Sequence, residues 1–313
     1  MYERIISAIE SHDKIIIHRH SNPDGDALGA QIGLCSIIRA TYPDKTVRMV
    51  GDMSRRYAFM DGSDMDEIDD GEYDGALAII LDTAASSLVS DTRYSLAAER
   101  LRIDHHIFCE KFADIEFVDT TFESCAGFVA YIAMTEGLTV DDFAAKALYT
   151  GMVTDSGRFR YDSTNSRTFE IASFLLKRNF STASIYSELY ADELKMVKMR
   201  ASFIMRIQTT SKGVGYIYTT ADEVKLLDAD TFTISRGMVN TMSDIRGINS
   251  WVNFTETDDG ILCEIRSKKY NINPIAVKHG GGGHAKASGA TLRSREEAMN
   301  MLDELDALED GNE

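Results

Sequence analysis

The segment 18–30, HRHSNPDGDALGA, constrains this chain more than any other, because it sets His20, Asp24 and Asp26 within seven residues directly after an apolar run. Ile15, Ile16 and Ile17 read as a buried strand, and residues 27–40 read as a helix with Leu28, Ile32, Cys35 and Ile38 on one face. One imidazole and two carboxylates therefore stand on a strand-to-helix turn. In an open α/β sheet that turn lies at the carboxyl end of a strand, where such folds bind ligands. A purely local role is the alternative: Asp24 would shape the Pro-Gly turn and Asp26 would cap the helix.

Three further positions repeat the pattern. Asp82 ends the apolar run ALAIIL, and Asp104-His105-His106 follows the short apolar segment 101–103. Asp155 closes a helical stretch from Asp142 whose Ala145, Leu148 and Met152 share a face. A carboxylate at the end of a buried strand is costly unless it is paired or binds a cation. Only Arg19, Arg102, Arg158 and Arg160 are at hand to pair with them. A metal centre accounts for all of these acids at once. Mixed imidazole and carboxylate ligation suits manganese, iron or zinc better than calcium, and His20, Asp24, Asp26, Asp82, His105 and Asp155 suffice for two divalent ions.

Strand and helix patterns alternate from residue 15 to about residue 160, which predicts a doubly wound, mostly parallel α/β sheet. The stretch 61–74 carries eight acids and no base and reads as a solvated connection, not a second metal site. Helical segments from Ser166 to about Ile207 follow, poor in Pro and Gly. They predict a catalytic domain over 1–185, a stiff helical linker over 186–210 that hinges at its ends, and a smaller mixed α/β substrate-binding domain over 211–313. In the last of these, 215–220 and 251–257 read as strands, 258–260 as a turn and 261–266 as the returning strand of a hairpin. Trp251 alternates with polar residues, a core pattern and not that of a base-stacking platform.

After a helix over 273–278 comes GGGGHAKASGA, residues 280–290. Glycines there can take positive backbone angles and bring peptide N–H groups close to an anion, with His284 and Lys286 as added donors. Arg266 and Ser267 end the neighbouring strand. A flexible loop without function is the alternative reading of a glycine run.

Composition narrows the partners. Thirty-three basic against fifty acidic residues give a net charge of −17, which argues against gripping long nucleic acid through many phosphates. A short or mononucleotide ligand remains compatible. Cys35, Cys109, Cys125 and Cys263 have no CxxC spacing and read as reduced thiols. No secretory leader and no apolar run of membrane-spanning length is found, so no membrane partner and a cytoplasmic location are expected.

The order HxxxDxD, strand-end Asp, DHH, TDSGRF and GGGGHAKASGA resembles the DHH phosphoesterase superfamily with its DHH-associated C-terminal domain, over nearly the whole chain. Within it the chain is most similar to the NrnA-type nanoRNases, an oligoribonuclease and 3'-phosphoadenosine 5'-phosphate phosphatase group. The resemblance implies two manganese ions, one held by His20, Asp24 and Asp82 and the other by Asp26, Asp82, His105 and Asp155. Asp82 would bridge them, and Asp82 and His105 would thereby share in catalysis. His106 would touch the phosphoryl group, packing against the sheet being its alternative role. Arg266, Ser267, Gly281, Gly282, Gly283 and His284 would bind the substrate, in a cleft between the domains whose length limits that of the substrate. Arg102 and Arg158 would either steady carboxylates behind the ligands or contact phosphate. The implied activity is release of 5'-mononucleotides from short oligonucleotides and of phosphate from the bisphosphate nucleotide, by a chain that could pair as a homodimer. Three other readings are a phosphodiesterase for cyclic dinucleotides or their linear products, a manganese pyrophosphatase, and a catalytically silent nucleotide-binding regulator. The complete ligand set disfavours the last.

Overall fold

The computed structural model describes residues 2–309, and the chain divides after Ala191 into two compact units. In the first unit, α1 (Glu3–Ser11), β1 (Lys14–His18), α2 (Gly25–Thr41), β2 (Thr46–Met49), β3 (Leu77–Leu81), β4 (Glu99–Asp104) and β5 (Ile115–Val118) are followed by four helices. These are α3 (Cys125–Glu136), α4 (Asp142–Asp155), α5 (Ser166–Leu175) and α6 (Thr182–Tyr190). The five strands run parallel in the order β2-β1-β3-β4-β5. The chain leaves β1 toward one edge and continues from β3 toward the other, so the order reverses between β1 and β3. That reversal opens a crevice at the carboxyl ends of two central strands.

Both faces of this sheet are covered, as the apolar runs require. Ile15 and Ile17 of β1, with Leu77, Ile79 and Leu81 of β3, pack into the large core under α2, α3 and α4. Ile16 faces Val50, Tyr73 and Ala76 on the other side, and Ile80 faces Val89. Each such side chain is fully buried and contributes about 1.5–3 kcal/mol. The second face is covered by loops and short 3₁₀ turns at Asp70–Tyr73, Ser86–Leu88 and Thr92–Leu96 in place of long helices. The acidic stretch begins on the helical side, where Asp61 pairs with Lys146 of α4, and reaches this face at Ile68 and Tyr73; Arg48 pairs with Asp66 and Glu72, and Arg93 with Asp70.

Helices α2 and α4 cross at close range. A Cβ at Gly29 would lie 2.6 Å from the Ala147 carbonyl oxygen and 2.9 Å from the Gly151 amide, so the crossing admits hydrogen only. Both helices bury nearly every face in their middle turns, which the single apolar stripe read for 27–40 understates.

The second unit starts with α7 (Leu194–Ile204), within the stretch expected as a linker; Met199 and Phe203 of α7 pack into its core. There follow β6 (Gln208–Thr209), β7 (Gly215–Thr219), α8 (Ala221–Leu226), β8 (Ser250–Thr257), β9 (Gly260–Ser267), α9 (Asn273–Lys278), β10 (Gly282–His284), β11 (Ala287–Leu292) and α10 (Arg295–Glu309). They form a mixed sheet in the order β10-β11-β9-β8-β7-β6, with only the β7–β8 pair parallel. Strand β9 alternates strictly, and its inward Ile261, Cys263 and Ile265 meet Met301 and Leu305 of α10. Trp251 is buried on the opposite face with Ile217 and Phe203. No helix among the described residues is long and apolar enough to cross a membrane.

The helix crossing yields a first test. Gly29→Ala should cost about 1–3 kcal/mol through overpacking against backbone that has no rotamer to yield. Urea unfolding measures it, and a loss below about 0.5 kcal/mol would show that α2 and α4 can separate freely.

Candidate metal centre

The turn after β1 is built from its own backbone demands. Asp24 caps α2, its Oδ1 accepting the amides of Asp26 and Ala27 at 3.0 Å each. Asp26 lies inside the first turn and points away from it: its Oδ2 accepts the Cys125 amide at 2.7 Å and its Oδ1 the Ala126 amide at 2.8 Å. Those amides open α3, where helices leave N–H groups without partners. Asp24 is therefore the cap, and Asp26 ties α2 to a helix about a hundred residues away in sequence.

His20 is fixed from behind. The guanidinium of Arg19, fully buried, donates to Gln31 Oε1, to the His20 carbonyl and to both the backbone and the carboxylate of Asp52. Asp52 also accepts the Asn22 amide at 2.7 Å. Asp52 and Gln31 lie outside every sequence motif, and nothing in their spacing marks them. His18, by contrast, points into the core beside Tyr73, and burial pushes it down to about 4, so it stays neutral and structural.

Asp82 sits just past β3 with φ at 49°, a left-handed conformation that asparagine and aspartate tolerate better than most residues. Its carboxylate is buried, and Oδ1 has no hydrogen-bond donor. His20 Nε2 is 3.5 Å from Asp82 Oδ2 and 3.9 Å from Asp24 Oδ1. His105 Nε2 is 3.5 Å from Asp82 Oδ1, 3.7 Å from Asp26 Oδ2 and 3.6 Å from Asp155 Oδ2, the last residue of α4. The six side chains singled out in the sequence thus converge at the β1–β3 crevice. Their Nδ1 atoms face carbonyls, Ser21 at 2.8 Å for His20 and Phe122 at 3.3 Å for His105. An Nδ1–H donated there leaves the Nε2 lone pairs turned toward the carboxylates.

The donor set fits divalent cations. Separations of 3.5–3.9 Å exceed hydrogen-bond length but suit neighbouring ligands about 2.0–2.2 Å from a shared ion. Among the described residues no lysine or arginine forms an ion pair with Asp24, Asp26, Asp82 or Asp155, and no donor reaches the buried Asp82 Oδ1 at ordinary hydrogen-bond length, His105 Nε2 standing 3.5 Å away. Burial, then the carboxylate of Asp82, push Asp26 well up and Asp155 to about 6. Burial opposes protonation of His20 and His105, yet the facing carboxylates raise them to about 9 and about 10. Burial also raises Asp82, but His105 and His20 outweigh it and hold that carboxyl low. The crevice as a whole demands positive charge.

The first acid of the DHH segment plays a different part. Asp104 is fully buried against Arg102, Oδ2 to Nη2 at 2.6 Å, while its Oδ1 accepts the amides of His105 and His106 and the His106 ring Nδ1 at 2.8 Å. Arg102 also donates to the Ala84 and Glu110 carbonyls. Of the two roles open to Arg102, the structure gives it the supporting one. His106 stands half-exposed, its Nδ1 lying 3.5 Å from Asp82 Oδ1 as well as 2.8 Å from Asp104 Oδ1.

In the second unit the glycine run differs from a free loop. The amides of Gly280 and Gly281 close the end of α9, donating to Val277 and Ala276, and Gly282–His284 form the edge strand β10. Of the glycines 280–283, only Gly280 and Gly283 have positive φ. Gly281 packs flat on β11, where a Cβ would meet the Gly289 carbonyl oxygen. Ser267 is buried, its hydroxyl accepting the amides of Lys269 and Tyr270, so a turn occupies it. Arg266 pairs with Glu264 at 3.0 Å, whereas Gly283 and His284 are exposed.

The Arg102–Asp104 pair can be tested without any ligand. Arg102→Met should destabilise the fold by roughly 3–5 kcal/mol, because it strands a buried carboxylate. Denaturant unfolding of the two proteins decides it, and a loss under about 1 kcal/mol would mean that Asp104 is held by the amides alone.

Sequence comparisons show the kinship of this chain, and a structure comparison shows its fold. The profile described as DHH family, N-terminal domain, matches residues 14–152, and that of the DHHA1 domain matches 217–309. A Bacillus subtilis (strain 168) protein named bifunctional oligoribonuclease and PAP phosphatase NrnA is 35% identical over 98% of both chains. A Streptococcus mutans protein named as a probable enzyme of the same kind is likewise 35% identical over 98% of both. An exopolyphosphatase-related protein from Bacteroides fragilis shares the fold with a TM-score of 0.82 and 24% identity, covering 98% of this chain and 97% of its own. With a relative at this identity over nearly its whole length and both domain profiles matched in order, this chain belongs to the DHH family, in the form that carries a C-terminal DHHA1 domain.

Proposed function

We propose that this chain is a divalent-metal phosphoesterase that releases 5'-mononucleotides from short oligonucleotides and phosphate from 3'-phosphoadenosine 5'-phosphate. The observation that carries the reading is the buried carboxylate of Asp82, with one oxygen turned to His20 and the other, lacking any donor, to His105. His20, Asp24 and Asp82 would hold one cation, and Asp26, Asp82, His105 and Asp155 the other, manganese in each case. Two such ions would lower the pKa of a bound water and offset the charge of the phosphoryl oxygens. The names of the two relatives at 35% identity support the pair of substrates.

The protein groups around that centre have definable tasks. Asp104 anchors His106 through Nδ1, so Nε2 is the nitrogen left to contact a phosphoryl oxygen and to give a proton to the leaving group. The amides at the head of α3 spread the charge of Asp26 and fix its two oxygens. In the second unit, Gly282, Gly283 and His284 on the edge strand, with Arg266 beside them, would bind the part of the substrate that is not cleaved. A surplus of 17 negative charges fits short substrates held by local contacts. The reading includes a cytoplasmic location, consistent with four unpaired cysteines.

Chelation followed by dialysis should abolish turnover, with manganese the best restorer, and Asp82→Ala should lower activity by more than about 100-fold. The assay uses labelled di- to decanucleotides beside the bisphosphate nucleotide. Full turnover in excess chelator would sink the reading. His284→Ala should raise KM for nucleotides about tenfold while manganese content, read by elemental analysis, stays at the wild-type level. Loss of metal together with affinity would place His284 among the supports of the catalytic unit.

A further inference from the structure

A small cavity of about 160 Å³ opens on the first unit beside the metal-ligand turn. Arg56, Arg158 and Arg160 line it with Tyr57, Tyr161 and Tyr190, and no acidic residue takes part. Two larger cavities carry acids: Asp61 and Glu188 in one, Glu256, Asp258 and Asp259 in the other. Arginines elsewhere in this acidic chain are commonly matched to carboxylates, as Arg48, Arg93, Arg100 and Arg200 are. The three in the cavity are not. Arg158 lies over the Tyr190 ring at 4.1 Å, Arg56 over the Tyr57 ring at 5.4 Å, and Arg160 donates from Nε to the Gly157 carbonyl. Each guanidinium keeps N–H edges free, the arrangement that suits an oxyanion with several acceptor oxygens.

The loop that carries two of them is strained. Gly157, Arg158 and Phe159 all have positive φ, at 57°, 65° and 60°. Two consecutive non-glycine residues in that region cost free energy, and such strain persists where the surroundings enforce it. Here Phe159 is pinned between Tyr149 and Phe169, and its amide donates to Ser156 Oγ. The result turns Arg158 onto Tyr190. The cavity also touches the metal-ligand turn. Thr154 lines it and precedes Asp155, and a Cβ at Gly25, between Asp24 and Asp26, would meet the Thr154 side chain at 2.5 Å.

We infer that Arg56, Arg158 and Arg160 form a second anion subsite on the catalytic unit, which takes the phosphate of a nucleotide substrate that is not being hydrolysed. The rings of Tyr57 and Tyr190 preorganise the guanidinium planes of Arg56 and Arg158. In a nucleoside bisphosphate the occupant is the second phosphate, and in an oligonucleotide it is the neighbouring phosphodiester. This inference rests on the function proposed above.

The test uses the full chain in two arms. In the kinetic arm, Arg158→Ala/Arg160→Gln is assayed on adenosine 3',5'-bisphosphate and on bis(p-nitrophenyl) phosphate, which has a single phosphorus. KM for the bisphosphate should rise about tenfold or more with kcat changed far less, and the loss in kcat/KM should exceed that on the small diester by about the same factor. Arg56→Gln, on a separate and unstrained segment, should shift KM in the same direction, which separates charge from loop geometry. A bisphosphate KM within about twofold of wild type, or equal losses on both substrates, overturns the subsite. The binding arm measures adenosine 3',5'-bisphosphate by calorimetry on chelator-treated protein, with adenosine as the phosphate-free control. Affinity about tenfold weaker in the double variant, with adenosine unchanged, supports the subsite even if the wild-type chain hydrolyses neither substrate, an outcome that would fail the proposed function alone. Equal bisphosphate affinity in variant and wild type overturns the subsite whatever the turnover.

Discussion

Mutual repulsion among four carboxylates governs this structure. Asp24, Asp26, Asp82 and Asp155 crowd one crevice, and two unit charges about 4 Å apart near a protein surface interact by about 4 kcal/mol. Without cations the two imidazoles must serve as the positive partners, which is why His20 and His105 are driven up toward about 9 and about 10. An arrangement this costly holds only if the scaffold cannot relax. The surrounding fold supplies that rigidity, and most of its distinctive contacts make sense as restraints on these side chains.

Three restraints do most of the holding. The head of α3 grips Asp26 by two amides, and the close α2–α4 crossing at Gly29 and Gly151 brings Asp155 to the same point. Arg19 and Asp52 lock the turn that carries His20, and Arg102 with Asp104 locks the pair His105-His106. Both arginines are fully buried, and each spends its donors on carbonyls as well as carboxylates. A buried guanidinium bonded to several acceptors orients its neighbours more strictly than an exposed pair does. Positive charge in this chain thus has two uses, structural where it is buried and paired, and available to ligands where it is exposed and unpaired, as around Tyr190.

The sheet order explains why the ligands come from such distant segments. Only where β1 and β3 part can loops after both strands, the DHH segment after β4 and the end of α4 face one another without backbone in the way. The second unit uses a different economy. Its glycine run ends a helix and forms a sheet edge, so the small residues there serve close backbone packing first, and leave Gly283 and His284 exposed.

Residue type and local period sufficed to read the parallel sheet, the helices α2 and α4, the hairpin of β8 and β9, and the six acids and histidines that meet in the crevice, because each is a local signal: an apolar run, a face, or a charge where a buried strand ends. Tertiary structure alone decided what those residues touch. That Asp26 accepts from α3 and Asp24 caps α2, that Asp104 supports while His106 faces outward, and that Ser267 is spent on a turn all depend on partners far away in the chain or on backbone direction. Asp52, Gln31 and the arginine-lined cavity carry no sequence pattern, since their meaning is the meeting of segments that no spacing records. The sequence determined which groups must be neutralised, through the energetic cost of burying charge; the three-dimensional packing decided which neighbour does it, because hydrogen bonds are set by distance and direction and not by order along the chain.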